Sequence, residues 1–312
     1  MVSFKHTSVL LEECIDGLNI KPNGVYIDAT MGGGGHSQLI VNHLGDGTLV
    51  GFDQDPVAIK HNLDKFSGDP RVQIVNANFS ELKNSLANLG IDAIDGILYD
   101  LGMSSMQIDE HERGFSYIHD ARLDMRMNPD NPLDAYSIVN NYSAEELTHI
   151  FTKYGEEKFS KRIAEKIVEQ RQVKPIATTL ELVAVIEQSL PKKVYYQLKS
   201  HPAKKVFQAL RICVNKELEV LQSSLAQAWE LLKPGGRMCV ISFHSLEDKI
   251  VKQFFKQQSN VDEEIKHLPV IPEELLPAGK IITNKPILPT NEEQVNNTRS
   301  HSAKLRIIEK IK

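Results

Sequence analysis

The chain has 312 residues, of which 41% are hydrophobic and 25% are charged. These proportions exclude a disordered or fibrous chain and indicate one large or two moderate globular domains. The net charge of −5 excludes a uniformly basic coat for nucleic acid, although it is compatible with a local basic face. No apolar run reaches the ~20 residues that span a bilayer, and the first residues lack the order of a signal peptide.

The three cysteines, Cys14, Cys213 and Cys239, lie far apart in the sequence and form no CxxC pair. We therefore expect neither a disulfide framework nor a cysteine zinc site, and we expect a reducing cytoplasm. No other spacing typical of metal ligands is found, so no metal is predicted.

The first hundred residues alternate helix and strand signals. A helical stripe covers 6–18, and apolar segments predict strands over 25–28, 48–53, 72–79 and 94–100. Pro56 suits the first turn of the helix after the second strand, and Ser80 can cap the helix after the third. Such alternation predicts an α/β fold, a doubly wound parallel sheet with helices on both faces.

From about Gln107 to Lys216 the pattern is helical. Capping-box sequences at 143–146 and 178–181 mark two helix starts. The sequence thus predicts an inserted all-helical domain over 107–216.

Strand character returns at 236–243, after a Lys-Pro-Gly-Gly helix stop, and again at 303–309. Between them, a polar stretch over about 258–298 lacks a long periodic segment. We therefore expect a discontinuous core of 1–106 plus 217–312.

The predicted insertion differs in charge from the rest of the chain. Between Lys153 and Lys216 it carries fourteen Lys or Arg and six Glu, a local +8, which leaves −13 elsewhere. This asymmetry indicates an interaction face, and the plain alternative is a set of solvated helix surfaces.

A glycine run from Gly32 to Gly35 follows the first predicted strand and opens the next helix. Glycines at this junction permit a tight turn and a close approach of the backbone to a ligand. Asp53 ends the second strand, twenty residues past Gly33, where an acidic side chain can accept both hydroxyls of a ribose. The spacing indicates a nucleoside-containing cofactor without separating NAD from S-adenosylmethionine.

Three details favour S-adenosylmethionine. Asp28 ends the first strand, and a carboxylate there suits the cationic methionine end of that cofactor better than a pyrophosphate. Asp100 places a second carboxylate at the sheet edge where ligands lie, although it could instead cap the Ser104 and Ser105 amides. A helix ending in Lys-Pro-Gly-Gly-Arg before a fifth strand is frequent in class I methyltransferases.

Two further residues lie beside these motifs. Phe79, at the end of the third predicted strand, can stack on an adenine ring or belong to the core. His36 follows the glycines directly, and we interpret it as a backbone-contact position.

Eight blocks in order along nearly the whole chain resemble the RsmH family, also called MraW. They are KHTSVLL (5–11), GGGGHS (32–37), DLGMSS (100–105), RGFSY (113–117), LDMRM (123–127), YGEE (154–157), ISFHSLED (241–248) and SAKLRI (302–307). The resemblance implies a Rossmann-like class I S-adenosylmethionine-dependent methyltransferase core with an inserted helical domain. It also implies N4-methylation of cytidine 1402 in the 16S rRNA of the small ribosomal subunit.

The resemblance assigns the cofactor contacts. They are Gly34, Gly35, His36, Asp53, Phe79, Asp100 and Gln107, to which we add Gly33 from the glycine run. His36 and Gln107 depend on the resemblance more than on the residue pattern.

Asp100 is also the candidate catalytic residue. An exocyclic cytosine amine is a weak nucleophile because its lone pair is delocalised into the ring. A carboxylate that accepts a hydrogen bond from the amine would stabilise the positive charge forming on it. Many amino-group methyltransferases have Pro-Pro-aromatic after this acid, whereas this chain has Leu-Gly-Met, so Asp100 mainly holding the cofactor is the alternative.

The insertion is the predicted RNA-recognition domain. Its candidate phosphate contacts are Lys192, Lys193, Lys204, Lys205 and Arg211, with His201 nearby. His244, after the fifth strand, is a candidate on the substrate side, and Ser245 to Asp248 has the alternative interpretation of a helix cap.

Three alternatives stay open at this point. The chain could methylate another RNA, DNA or a small molecule, or it could be an NAD-dependent oxidoreductase that uses the same glycines and Asp53. It could also be a non-catalytic ribosome-assembly factor, although the intact Asp53 and Asp100 argue against a decayed site. The sequence leaves open whether the protein is a homodimer and whether naked RNA or an assembled particle is the substrate.

Overall fold

The computed structural model describes residues 8–198, 200–261, 272 and 276–312. The described chain divides into two compact units: a helical unit, Met103–Glu217, and an α/β unit made of the residues on either side of it. The sequence analysis set the corresponding limits at 107 and 216.

The elements are numbered in chain order. The first part contains α1 (Leu11–Leu18), β1 (Val25–Asp28), α2 (Gly35–His43), β2 (Thr48–Asp53), α3 (Pro56–Lys65), β3 (Val72–Asn76), α4 (Leu82–Asn88) and β4 (Ile94–Asp100). The middle part contains α5 (Ser105–Asp109), α6 (Ala135–Asn141), α7 (Ala144–Lys153), α8 (Ser160–Val173), α9 (Thr179–Ser189), α10 (Lys192–Tyr195) and α11 (Lys204–Asn215). The last part contains α12 (Glu217–Leu231), β5 (Leu232–Ser242), α13 (Ser245–Ser259), β6 (Gly279–Ile281), α14 (Asn291–Asn296) and β7 (Lys304–Lys310).

Within the described residues the α/β unit contains one sheet with the strand order β3-β2-β1-β4-β5-β7-β6. Strands β1 to β5 are parallel, whereas β7 runs antiparallel to β5 and β6 antiparallel to β7. The prediction of a mostly parallel doubly wound α/β fold is confirmed. Because β1 lies between β2 and β4, the ends of these three strands meet at the same edge of the sheet.

Both faces of this sheet are covered. Along β1, the buried Ile27 packs into a cluster with α4, α12 and α13, and its neighbour Tyr26 packs into a cluster with α1 and α2 on the opposite face. This alternation follows from the two-residue period of a strand. Each fully buried Leu or Ile of these clusters contributes roughly 1.5–3 kcal/mol to folding, which fixes the strand register.

The helical unit has its own core, and its helix starts follow the predicted caps. Ser143 Oγ accepts a hydrogen bond from the Glu146 amide at 3.2 Å, and Thr178 Oγ1 accepts one from the Glu181 amide at 3.4 Å. Both glutamates return the bond to the cap residue, so both predicted capping boxes are confirmed.

Several predicted element boundaries are wrong, among them the start of the first helix, which is Leu11 rather than residue 6. Strand β3 ends at Asn76 rather than at residue 79, because the chain turns into a 3₁₀ helix over Phe79–Glu81. Asn78 is the cap here, since its Oδ1 accepts from the Ser80 amide at 2.9 Å, and Ser80 is the capped residue. Strand β5 begins at Leu232 and so includes the Lys-Pro-Gly-Gly segment.

The polar stretch 258–298 has more structure than predicted. Strand β6 and helix α14 lie in it, while 262–271 and 273–275 lie outside the described residues. No helix among the described residues has the length and apolar character needed to cross a membrane.

Candidate active site

Three carboxylates occupy the edge of the sheet where β1, β2 and β4 end. Asp28 is the last residue of β1, Asp53 of β2 and Asp100 of β4. In open α/β sheets this edge, beside the first strand, is where ligands bind. The three acids that the sequence singled out therefore belong to one region of the α/β unit.

Asp28 organises the turn that follows β1. Its Oδ1 accepts from the Thr30 amide at 3.1 Å, and its Oδ2 accepts from Ser37 Oγ at 2.6 Å. Burial raises the pKa of Asp28, and His36, Ser37 and Thr30 partly offset that rise. Asp28 thus links the loop after β1 to α2 through hydrogen bonds to both segments.

The glycine turn is held from helix α3. Asn62 Nδ2 donates to the Gly32 carbonyl at 2.7 Å, and Lys65 Nζ donates to the Gly33 and Gly34 carbonyls at 3.1 and 2.6 Å. Gly34 is the N-cap of α2 with a φ of 68°. A Cβ on Gly34 would be strained by that φ and would collide with Asn62 Oδ1.

Because Gly34 offers no side-chain cap, the first amide groups of α2 remain suited to a ligand oxygen. Asn62 and Lys65 are supporting residues that the sequence analysis missed. Asn62 lies four residues after Ala58 and four before Phe66, and this place on the apolar face of the helix was a signal in the sequence that could have found it.

Asp53 is fixed by two backbone groups. Its Oδ2 accepts from the Gly32 amide at 2.8 Å, and its Oδ1 accepts from the Asp55 amide at 2.9 Å. Burial raises the pKa of Asp53 to about 6, while these two hydrogen bonds lower it. Each carboxylate oxygen keeps a second lone pair, so the pair of oxygens fits the two hydroxyls of a ribose.

Asp100 lies beside His36. Its Oδ2 is 3.7 Å from His36 Nδ1, and its amide donates to Thr30 Oγ1 at 2.7 Å. Its Oδ1 is buried and has no hydrogen-bond partner within the described part of the chain. Burial raises the pKa of Asp100 to about 6, and His36 acts in the opposite direction. An unpaired buried acceptor of this kind suits a donor supplied by a ligand.

His36 itself is buried, and its Nε2 donates to the Val9 carbonyl at 3.0 Å. Nε2 is therefore bound by the protein, and a contact of the His36 backbone with a ligand stays a prediction.

Phe79 is partly buried and meets Tyr99 edge to face, with ring centroids 5.7 Å apart. The ring therefore joins the core, and stacking of Phe79 on an adenine stays a prediction.

Gln107 belongs to the helical unit and has a local role there. Its Oε1 accepts from the Ser104 amide at 3.2 Å, and its amide donates to Ser104 Oγ at 3.3 Å. These two bonds form a capping box at the start of α5. A cofactor contact at Gln107 stays a prediction from the resemblance.

The predicted phosphate contacts differ in whether their side chains are exposed to solvent or bound within the protein. Lys192, Lys193 and Lys204 are exposed, and Lys205 Nζ donates to the Glu156 carbonyl at 2.8 Å. His201 stacks on Tyr117 with ring centroids 4.5 Å apart.

Arg211 is a correction to that set. Its Nε and one terminal nitrogen each lie 2.9 Å from an oxygen of Glu217, and both side chains are about nine-tenths buried. A bidentate pair with this burial is part of the structure, and breaking it would leave an uncompensated charge. We therefore remove Arg211 from the proposed phosphate contacts.

His244 is the N-cap of α13. Its Nδ1 accepts from the Glu247 amide at 3.4 Å, and Glu247 Oε2 accepts from the Phe243 and His244 amides at 2.8 and 3.2 Å. The predicted cap of Ser245 with Asp248 is wrong by one residue. The Asp248 carboxylate instead accepts from Arg306 Nε at 2.7 Å.

The sequence profile of the MraW methylase family matches residues 3–311. A protein named "Ribosomal RNA small subunit methyltransferase H" from Lactobacillus acidophilus is 53% identical over 317 residues, with 99% of this chain and 100% of that protein covered. A protein of the same name from Finegoldia magna is 51% identical over 313 residues, with the same coverage. An rRNA methylase structure from Streptococcus thermophilus has a TM-score of 0.45 and 11% identity, covering 98% of this chain and 99% of that one, a likeness too weak to bear on function.

The burial of Asp100 predicts a cost in stability that an amide would remove. Between its ordinary pKa near 4 and about 6, the folded chain binds a proton that the unfolded chain has released, so stability falls as the pH rises through that window. We expect Asp100→Asn to raise the free energy of unfolding by up to about 3 kcal/mol at pH 8 and to leave it unchanged near pH 4.

The single tryptophan, Trp229, lies in the α/β unit, so its fluorescence during urea unfolding reports on that unit. Asp92→Asn, at an exposed position, controls for the loss of one negative charge. An equal gain at both pH values would show that the ionised Asp100 carboxylate carries no folding cost.

Proposed function

The chain belongs to the MraW methylase family, and on that premise we propose that it methylates the exocyclic N4 of a cytidine in small-subunit ribosomal RNA, cytidine 1402 of the 16S rRNA. The chain is an S-adenosylmethionine-dependent methyltransferase. The observation that carries the proposal is an identity above 50% over the full length of relatives named for rRNA small-subunit methylation. The three carboxylates at the sheet edge support it.

The residues at this edge fit the cofactor. Asp53 would hold the ribose hydroxyls, since its carboxylate is oriented by the Gly32 and Asp55 amides and keeps lone pairs for two donors. The first amides of α2 would donate to the carboxylate of the cofactor, and Phe79 would stack on its base. When bound, the cofactor supplies a methyl group already activated by a sulfonium.

Asp100 would act on the substrate. Its buried Oδ1 would accept a hydrogen bond from the exocyclic amine, orient the nitrogen lone pair towards the methyl carbon and stabilise the charge that develops there. The protein contributes geometry and a fixed negative charge at the point where positive charge forms.

The target base in folded RNA must leave its stack to reach such a site. The helical unit is the part of the chain that would bind the RNA, because its exposed lysines can neutralise phosphates. We place the reaction in the cytoplasm and on a small ribosomal subunit, since the relatives are named for methylation of small-subunit ribosomal RNA. A homodimer and a methyl acceptor other than this cytidine are the open variants of the proposal.

The test is methyl transfer from labelled S-adenosylmethionine to small ribosomal subunits that lack the modification, followed by nucleoside mass spectrometry. We expect label at one site, as N4-methylcytidine. Label at another nucleoside would overturn the substrate, and binding of cofactor without any label would favour a non-catalytic assembly factor.

Asp100→Asn should separate catalysis from binding. The amide keeps the shape of the side chain but loses its charge, so we expect turnover to fall on the order of a hundredfold, with a smaller change in cofactor affinity. Single-turnover rates and calorimetry measure the two quantities. Near-normal turnover with unchanged cofactor affinity would contradict a catalytic role for Asp100.

Reversing the charge of Lys193 and Lys204 together should weaken RNA binding at least tenfold and reduce its salt dependence, because two phosphate contacts are lost. Cofactor affinity should stay unchanged. The matched control reverses Lys252 and Lys256, two exposed lysines on α13 in the other unit. Equal losses in both double variants would show a general charge effect and remove the helical unit from RNA recognition.

A further inference from the structure

The ring of His36 is held in one tautomer. Its Nε2 lies 3.0 Å from the Val9 carbonyl, and because a carbonyl can only accept, Nε2 carries a hydrogen. The segment that presents this carbonyl is itself fixed, since the Leu10 amide donates to Glu293 Oε1 at 2.8 Å. The proton that His36 can gain or lose is therefore the one on Nδ1.

Nδ1 points at Asp100. It lies 3.7 Å from Asp100 Oδ2, a separation that a small rotation of either side chain closes to a hydrogen bond. The two side chains are only 5% and 22% exposed, so their interaction is little screened by water. Asp100 thus has one oxygen towards His36 and the other, Oδ1, left for the substrate.

Acidic groups surround the pair of Asp100 and His36. Asp28 on β1 and Glu247 at the start of α13 both raise the pKa of Asp100, and Lys65 acts on Asp28. Among the described residues, His36 is the basic group within ion-pair distance of Asp100. A carboxylate at this distance stabilises the protonated form of an imidazole.

We propose that His36 Nδ1 stores the proton that methyl transfer releases, receiving it through Asp100. This inference rests on the proposed methylation of an amine. As the new nitrogen–carbon bond forms, the sulfur–carbon bond breaks and its electron pair stays on sulfur. The nitrogen then loses one proton to Asp100 Oδ1. A half-turn of the protonated carboxyl group brings that oxygen to His36, and the same proton passes to His36 Nδ1.

The charges balance across these steps. A sulfonium and a neutral imidazole are replaced by a thioether and an imidazolium, while Asp100 is a carboxylate at the start and at the end. His36 is a positioning residue, because it acts on the substrate through Asp100. The stored proton leaves to solvent after the product does.

Two measurements on the cofactor-free protein test the pair without any turnover. Nitrogen-15 NMR of the histidines at pH 7.5 should show His36 with hydrogen on Nε2 and a lone pair on Nδ1. Carbon-13 NMR should show the carboxyl of Asp100 titrating near pH 6, and His36→Gln should move that midpoint upward by about one unit. Glutamine can still donate to the Val9 carbonyl, and Trp229 fluorescence verifies that the variant folds.

The third measurement is the pH profile of turnover. His36→Gln should slow methyl transfer about tenfold at pH 7 and recover part of the rate by pH 8.5, where hydroxide assists proton removal. His43→Gln, at an exposed histidine of the same helix, is the matched control and should change neither profile nor titration.

The outcomes separate this inference from the proposed function. A protonated Nδ1 at pH 7.5, or an Asp100 midpoint that His36→Gln does not move, overturns proton storage even if methylation occurs. A coupled pair in the NMR data without methylation of any RNA would instead overturn the proposed reaction. A rate loss that is the same at every pH would show a purely structural role for His36.

Discussion

The hydrogen bond from the Gly32 amide to the Asp53 carboxylate is the contact on which the candidate site depends. It joins the end of β2 to the loop after β1, so the conformation of the glycine turn depends on both strands. Asn62 and Lys65 hold the carbonyls of that same turn from the outside. With its carbonyls bound by α3 and the Gly32 amide bound by Asp53, the glycine turn is held in one conformation.

This arrangement is expensive in free energy, because it buries acids. Asp28, Asp53 and Asp100 all have pKa values raised by burial, so the fold carries ionised groups that it would hold more readily as neutral acids. Natural sites retain such groups where a cation or a donor arrives with the ligand. Among the described residues, none of these three acids forms an ion pair with Lys or Arg. Their clustering at one sheet edge is therefore better explained by a role in binding or catalysis than by a contribution to stability.

Sequence reasoning predicted the features that depend on hydrophobic periodicity and on the position of a residue within its own helix or strand. The parallel sheet, the capping boxes at Ser143 and Thr178 and the three acids at strand ends all follow from local patterns. Side-chain partners that come from distant segments were not predictable in this way. Arg211 counted as one more positive charge in the sequence, and only its packing shows that Glu217 neutralises it. The His244 cap was missed because its neighbour Ser245 is the commoner cap residue.

The antiparallel strand β7 has a consequence for the order in which the chain gains its structure. Residues 304–310 pair with β5 along six positions and bury its outer edge, although β1 to β4 are synthesised some two hundred residues earlier. The helical unit is continuous in sequence and has its own core, so it can fold while the sheet is still incomplete. During translation the helical unit would therefore form first, and the sheet of the α/β unit would be completed only after β7 is synthesised.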